Sequence, residues 1–286
     1  MEIIKTIPKM RQWAERARAS HKTIGLVPTM GSLHAGHMSL VHKSVSTCDV
    51  TVASIFINPA QFGENEDLDT YPKNLDGDRR LLESAGVDVL FSPSSQEMYP
   101  KGYKTFVTVE DITDHLCGKS RPGFFRGIAT VIVKLFNIVR PHTGFFGDKD
   151  WQQATVVETL LRDLNIEAAI ERLPILREAD GLAKSSRNVY LSKDEMAPAR
   201  SLSEALRQAR QRVQNGQFSA DKIRQEIRQT IETNKAAKID YISICDPESF
   251  VEQDKINNKC LIALAVQIGK TRLIDNCIVR REKCRE

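Results

Sequence analysis

Two histidines three residues apart, His34 and His37, stand in the segment GLVPTMGSLHAGHMSL that runs from Gly25 to Leu40. An apolar run enters a Pro-Thr-Met-Gly turn, and His-Ala-Gly-His then opens a stretch of helical pattern. A spacing of three puts both imidazoles on one face of that helix. Backbone N–H groups at a helix N-terminus lack internal partners and attract anions. Imidazole donors added there suit an anion whose charge must be neutralised during reaction, as in nucleotidyl transfer. Gly36 allows close approach of such a ligand. The alternative is a pair of capping or surface histidines, and the strand-turn-helix context favours chemistry over it.

Competing phosphate motifs fail on spacing. GKS at 118–120 and GKT at 269–271 end as a P-loop does, but a P-loop needs a glycine five positions before its last glycine. Thr113 and Leu264 stand there instead, so kinase or ATPase chemistry at a γ-phosphate loses support. A GxSxG elbow, an HExxH helix and a GxGxxG turn are also missing, which removes common hydrolase, metalloprotease and dinucleotide readings.

Three further segments carry suitable groups. Phe145 to Gln153, FFGDKDWQQ, reads as a strand end, a glycine turn and charges at a helix start. Lys149 has the reach for a phosphate oxygen, Asp150 fits an N-cap as well as a functional role, and Gln153 faces the same mouth one turn on. Glu178 to Asn188 holds Lys184-Ser185-Ser186-Arg187, a cation and two hydroxyls that could close over a triphosphate, although a basic serine-rich loop taken alone is usually just solvated. Ser54 to Phe62, SIFINPAQF, sets Asn58 and Gln61 on a strand-to-loop edge where amides suit a hydroxylated carboxylate. Alone, it reads as an Asn-Pro turn with an exposed glutamine.

The elements that must position these groups follow from periodicity. Ile24 to Val27, Val50 to Ile57, Val87 to Phe91 and Gly144 to Phe146 are short apolar runs of strand type. Gly36 to Ser46, Gly77 to Ser84, Ile128 to Val139 and Gln152 to Leu164 lie among them and are long enough for crossover helices. The expectation is an α/β fold, with a doubly wound Rossmann-like parallel sheet domain over 1–175 that binds ligands at the carboxyl ends of its strands. Beyond Leu176, helical stretches at Lys193 to Gln214 and Ala220 to Thr233 precede strand-like runs at Ile239 to Cys245, Cys260 to Val266 and Thr271 to Val279. These predict a smaller α+β C-terminal lid domain over 176–286 with an antiparallel sheet, ending in a solvated tail, RREKCRE.

Composition bounds the rest. The chain has 286 residues, 41% hydrophobic and 27% charged, which is ordinary globular usage. No run of about 18 apolar residues exists, and the first residues, MEIIKTIPKMRQW, lack a long apolar stretch followed by a cleavage site, so neither membrane insertion nor export is expected. The six cysteines are scattered without CxxC spacing, which suits reduced thiols in the cytoplasm. A net charge of +4, without Lys/Arg clusters interleaved with aromatics, does not make a nucleic-acid footprint and suits small anionic ligands.

HxGH at residues 34–37 resembles the HIGH signature of nucleotidylyltransferases and class I aminoacyl-tRNA synthetases, and Lys184 to Arg187 resembles their KMSKS-type element. PTMGSLHAGH, FINPAQF, YPKN at Tyr71 to Asn74, SRPGFFRG, FFGDKDWQQ, READGLAKSSRN and TRLIDN together resemble the pantothenate synthetase family, in that family's order and over nearly the whole chain. The resemblance implies an ATP-dependent, Mg²⁺-requiring condensation of pantoate with β-alanine through a pantoyl-adenylate, carried out by a homodimer. It implies that Met30, Gly31, His34, Gly36 and His37 line the ATP site, with His37 the proton donor, and that Gly147, Asp148, Lys149, Asp150, Leu176, Lys184, Ser185, Ser186 and Arg187 complete it. Gln61 and Gln153 would hold pantoate, with Asn58 and Arg121 nearby, and Asp78 would serve a metal. Two departures stand out: Phe124 where the family usually has histidine, and Gly77 where an acidic residue often precedes the aspartate. The rival reading is another HxGH adenylyltransferase, one that leaves AMP on a small phosphorylated metabolite.

Overall fold

A computed structural model of the chain describes residues 1–64 and 66–281. Most of the tail RREKCRE, Cys284 included, lies outside the described residues. The five described cysteines, Cys48, Cys117, Cys245, Cys260 and Cys277, are free thiols. Among the described residues no helix is long and apolar enough to cross a membrane.

The apolar runs of the first part all become parallel strands. In chain order the elements are β1 (Glu2–Ile4), α1 (Ile7–Ala19), β2 (Ile24–Thr29), α2 (Ala35–Thr47), β3 (Val50–Ile55), α3 (Leu75–Ser84), β4 (Val89–Phe91), α4 (Ser95–Met98), α5 (Leu116–Ser120), α6 (Phe124–Val139), β5 (Thr143–Gly147), α7 (Trp151–Asp163) and β6 (Ala169–Leu173). Every residue of β3 but the last is buried, as in a strand covered on both faces, and such strands read as continuous apolar runs. The sheet order is β1-β4-β3-β2-β5-β6. From β2 the chain winds outward through β3 and β4, then adds β5 on the other flank of β2. The order therefore reverses between β2 and β5, and their carboxyl ends border the switch-point crevice where open α/β sheets take ligands.

Periodicity missed β1, α1 and β6. The first is a three-residue edge strand, and β6 is largely half-exposed on the opposite edge, with charges inside its sequence AIERL. The buried stripe of α1 is only Met10, Ala14 and Ala17, spaced at four and three, so small side chains carry the contact and charges dominate the pattern.

The second part forms α8 (Lys193–Gln214), α9 (Ala220–Glu232), β7 (Ala237–Cys245), β8 (Lys259–Ile268) and β9 (Thr271–Arg280). Ser192 opens α8 through a capping box with Glu195, the S-x-x-E signal expected at a helix start. The three strands make an antiparallel sheet in chain order. Central β8 is apolar from Cys260 to Val266, where both its faces are covered. Cys260, Ile262, Leu264, Val266 and Ile268 join the core built with α8 and α9, and Leu261 and Ala263 join a second cluster with Cys245, Phe250 and Trp151.

The chain divides into two compact units: residues 1–109, 121–148 and 153–175 form one, and 110–120, 149–152 and 176–286 form the other. The short inserts belong to the second unit for visible reasons. Ile112, Leu116 and Trp151 pack on its second cluster, and the Gln152 amide accepts from Cys117 N at 3.0 Å while donating to the carbonyls of Ile112 and His115.

One glycine in the first unit is fixed by close approach. A Cβ on Gly127 would meet the Ala60 carbonyl oxygen at 2.1 Å. Glycine inside a helix costs about 1 kcal/mol against alanine, so backbone proximity outweighs propensity here. Gly127→Ala should therefore destabilise the protein by about 2 kcal/mol or more and shift the Pro59–Gln61 turn, read as a lowered denaturation midpoint.

Candidate active site

The residues singled out fall into a group in each unit. In the first unit the turn after β2 is held by one carboxylate. Gly31 and Ser32 both take positive φ, 86° and 51°, and Asp78, on α3 and 2% exposed, accepts Ser32 N at 2.8 Å and Leu33 N at 2.7 Å. Burial pushes the Asp78 carboxyl above its ordinary pKa, and the two backbone amides pull against that. The turn delivers His34 as the N-cap of α2. His34 Nδ1 accepts Gly36 N at 3.1 Å, and His37 Nδ1 accepts His34 N at a longer 3.4 Å. The rings stack with centroids 4.0 Å apart. With Nδ1 of each ring accepting, the neutral tautomer carries its proton on Nε2. Both histidines are thus N–H donors at a helix N-terminus whose first turn has no acidic side chain.

After β3, the amides are organised around Asn58. Its side chain is 1% exposed, accepts the Tyr99 hydroxyl at 2.8 Å, and donates to Gln61 Oε1 and to the Gly127 carbonyl, both at 3.1 Å. Gln61 Nε2 reaches Met30 Sδ at 3.0 Å, which joins this amide pair to the turn after β2. Arg121 donates to the Gln61 carbonyl, pairs with Glu66 through Nε at 2.6 Å, and lies 3.6 Å from the Phe124 ring centroid. The first departure from the family pattern thus has a visible use, since Phe124 offers its π face to the arginine. The second also fits: Gly77 N donates to the helix cap, Asn74, whose side-chain amide a Cβ at position 77 would meet at 2.3 Å. Gly147 ends β5, and Asp148 is held by Arg172 at 2.7 Å. Gln153, half-buried, follows in α7.

In the second unit, Lys149 and Asp150 are 3.9 Å apart at their charged atoms. Leu176 to Lys184 is a small hairpin in which Lys184 N donates to Leu176 O at 2.9 Å. The Lys184 ammonium pairs with Glu178 at 2.6 Å. Ser185 caps the short 3-10 turn Ser186–Tyr190 by accepting Arg187 N, and Ser186 is buried. Tyr99, Glu66 and Arg172 were not expected from sequence. Each acts by touching a site residue from a distant part of the chain, and no local pattern marks such a contact.

A strand-turn-HxGH helix at the switch point of a doubly wound sheet defines a nucleotide-binding α/β protein of the HxGH class. The model of the pantoate-beta-alanine ligase family matches residues 2–278, and the chain belongs to that family. It is 52% identical over 279 residues to the pantothenate synthetase of Acetivibrio thermocellus, a match covering 98% of this chain and 99% of that protein. The crystal structure of pantothenate synthetase from Thermus thermophilus superposes with a TM-score of 0.92 at 39% identity, covering 97% of this chain and 99% of that one. The pantoate-beta-alanine ligase from Francisella tularensis, crystallised in complex with beta-gamma ATP and β-alanine, gives 0.82 at 37% identity, covering 97% of each chain.

Two outcomes test the Asp78 brace. Asp78→Ala leaves the half-buried amides of Ser32 and Leu33 without their acceptor, at about 1 kcal/mol for each, so stability and turnover should both fall. The second outcome concerns pH. Because the folded carboxyl sits above its ordinary value, the native state binds this proton more tightly than the unfolded chain does. The stability Asp78 contributes therefore declines as pH rises from the unfolded value, about 4, through the folded one. Thermal midpoints of wild type relative to Asp78→Asn should drop across that window, whereas a rise would mean that the amides outweigh burial.

Proposed function

We propose that the chain condenses pantoate with β-alanine using ATP, with chemistry centred on the HxGH turn after β2. The carrying observation is the pair of imidazoles that cap α2 through Nδ1 and so hold Nε2–H donors at the switch point. A pantoate carboxylate oxygen attacks the α-phosphorus and pyrophosphate leaves. The β-alanine amine then attacks the activated carbonyl carbon and sheds a proton, and AMP departs as the amide forms. No protein nucleophile is needed, so positioning and charge stabilisation do the work.

In this reading His34 and His37 donate to the phosphates, with His37 the proton donor. Met30, Gly31, Gly36, Gly147, Asp148, Asp150 and Leu176 line the nucleotide. Lys149, Lys184 and Arg187 supply positive charge, with Ser185 and Ser186 as hydroxyl donors. Gln61 and Gln153 hold pantoate, with Asn58 behind them orienting the Gln61 amide, and Arg121 braces Gln61 through its backbone carbonyl. The family reading also expects a homodimer in the cytoplasm.

Among the described residues no group of three His, Cys, Asp or Glu side chains is placed to hold an ion, and both Asp78 oxygens already accept backbone amides. We assign Asp78 to the turn, and Mg²⁺ to the phosphate oxygens of incoming ATP, a common arrangement for this ion.

The purified protein incubated with ATP, Mg²⁺ and pantoate should release AMP and pantothenate in equal amounts only when β-alanine is added. His37→Ala should lower turnover by about a hundredfold or more with circular dichroism unchanged. A stable adenylylated product, formed without any amine, would instead favour the rival adenylyltransferase chemistry.

A further inference from the structure

The TRLIDN segment has no part in the function argued so far, yet it ends in two consecutive buried polar residues, Asp275 and Asn276, exposed by only 3% and 6%. Both lie on β9, which pairs with β8 on one side only. Consecutive strand residues point to opposite faces, and each of these finds a partner from a different cationic segment of the same unit. Asp275 takes Arg177 in a two-pronged ion pair, Nη1 to Oδ2 at 2.7 Å and Nη2 to Oδ1 at 2.9 Å. Arg177 in turn donates to the Gly181 carbonyl at 3.1 Å and bridges Ala183, so it braces the hairpin that presents Lys184. Asn276 donates its side-chain amide to the Lys149 carbonyl at 2.9 Å, and its own N–H is fixed by Asp275 Oδ1 at 2.8 Å.

Burial of two adjacent polar side chains within a strand is tolerated when each is hydrogen-bonded, and a forked arginine–carboxylate pair fixes geometry as well as charge. Apolar residues at 275 and 276 would fill the same sheet without touching either segment. We propose that Asp275 and Asn276 are positioning residues for the nucleotide: one strand sets the backbone of Lys149 and the hairpin before Lys184 to Arg187, and so holds two sources of positive charge in register for one triphosphate. The inference rests on the proposed role of those cations and extends it to residues that never touch ATP.

Asn276→Ala should raise KM for ATP by about tenfold to a hundredfold, as misplacement of a charge-stabilising group does, with KM for β-alanine near wild type and the protein folded by circular dichroism. In the Lys149→Ala background the same substitution should cost nothing more, because a residue that acts through Lys149 has nothing left to position. Full additivity, or an unchanged KM for ATP in Asn276→Ala beside an impaired Lys149→Ala, overturns the positioning role and leaves Lys149 its own. Unchanged ATP kinetics in Lys149→Ala overturn the reading of that cation, and this inference with it. Asp275→Asn supplies a second arm, expected to raise KM for ATP and to be non-additive with Lys184→Ala. If that variant does not fold, the Asn276 cycle decides.

Discussion

The first turn of α2 is closed by two imidazoles, where a capping box commonly uses a hydroxyl and a carboxylate, and the electrostatic character of that helix end depends on the difference. A Ser-x-x-Glu box, such as the one that opens α8, satisfies the same backbone donors but leaves a negative charge at the helix end. That charge would repel a triphosphate. His34 and His37 satisfy the donors through Nδ1 without adding a negative charge, and no other acid stands in the turn. The helix end stays electropositive, which is the condition for anion binding there. The rest of the unit upholds this arrangement. Asp78 fixes the turn through two backbone amides, and the strand order reverses beside β2, where the turn begins.

Around that centre the polar groups are wired through backbone as often as through side chains. Arg121 pairs with Glu66, stacks on Phe124 and reaches Gln61 only at its carbonyl. Tyr99 touches Asn58, which orients the Gln61 amide, and the close approach of Gly127 admits the turn on which Gln61 sits. Each contact removes freedom from a group expected to meet pantoate, and ordering of this kind before substrate arrives is how small amides gain selectivity.

The amino-acid pattern exposed the interior of this fold better than its rims. Central strands β2, β3 and β5 and the long helices are legible because burial on one or two faces forces apolar periodicity. The edge strands β1 and β6 and the alanine-striped α1 bury too little to leave that trace. At the site, HxGH was readable because its chemistry, cap and turn are local in sequence. The work of Asp78, Arg177 and Tyr99 was not, since each holds a partner 40 or more residues away. That both Asp78 oxygens accept backbone amides follows only from where Ser32 and Leu33 turn, 46 and 45 residues earlier in the chain.

The two compact units are interleaved along the chain. The second is gathered from three separate stretches, and Trp151, four residues beyond the end of β5, packs on its apolar cluster and donates its indole N–H to the Pro247 carbonyl at 2.8 Å. A gene fragment cut between the units at 175 would deprive the distal piece of that anchor and leave the proximal piece with an orphaned indole. Shuffling of such halves among unrelated proteins is thereby disfavoured, and the module that recombination can move intact is nearly the entire chain.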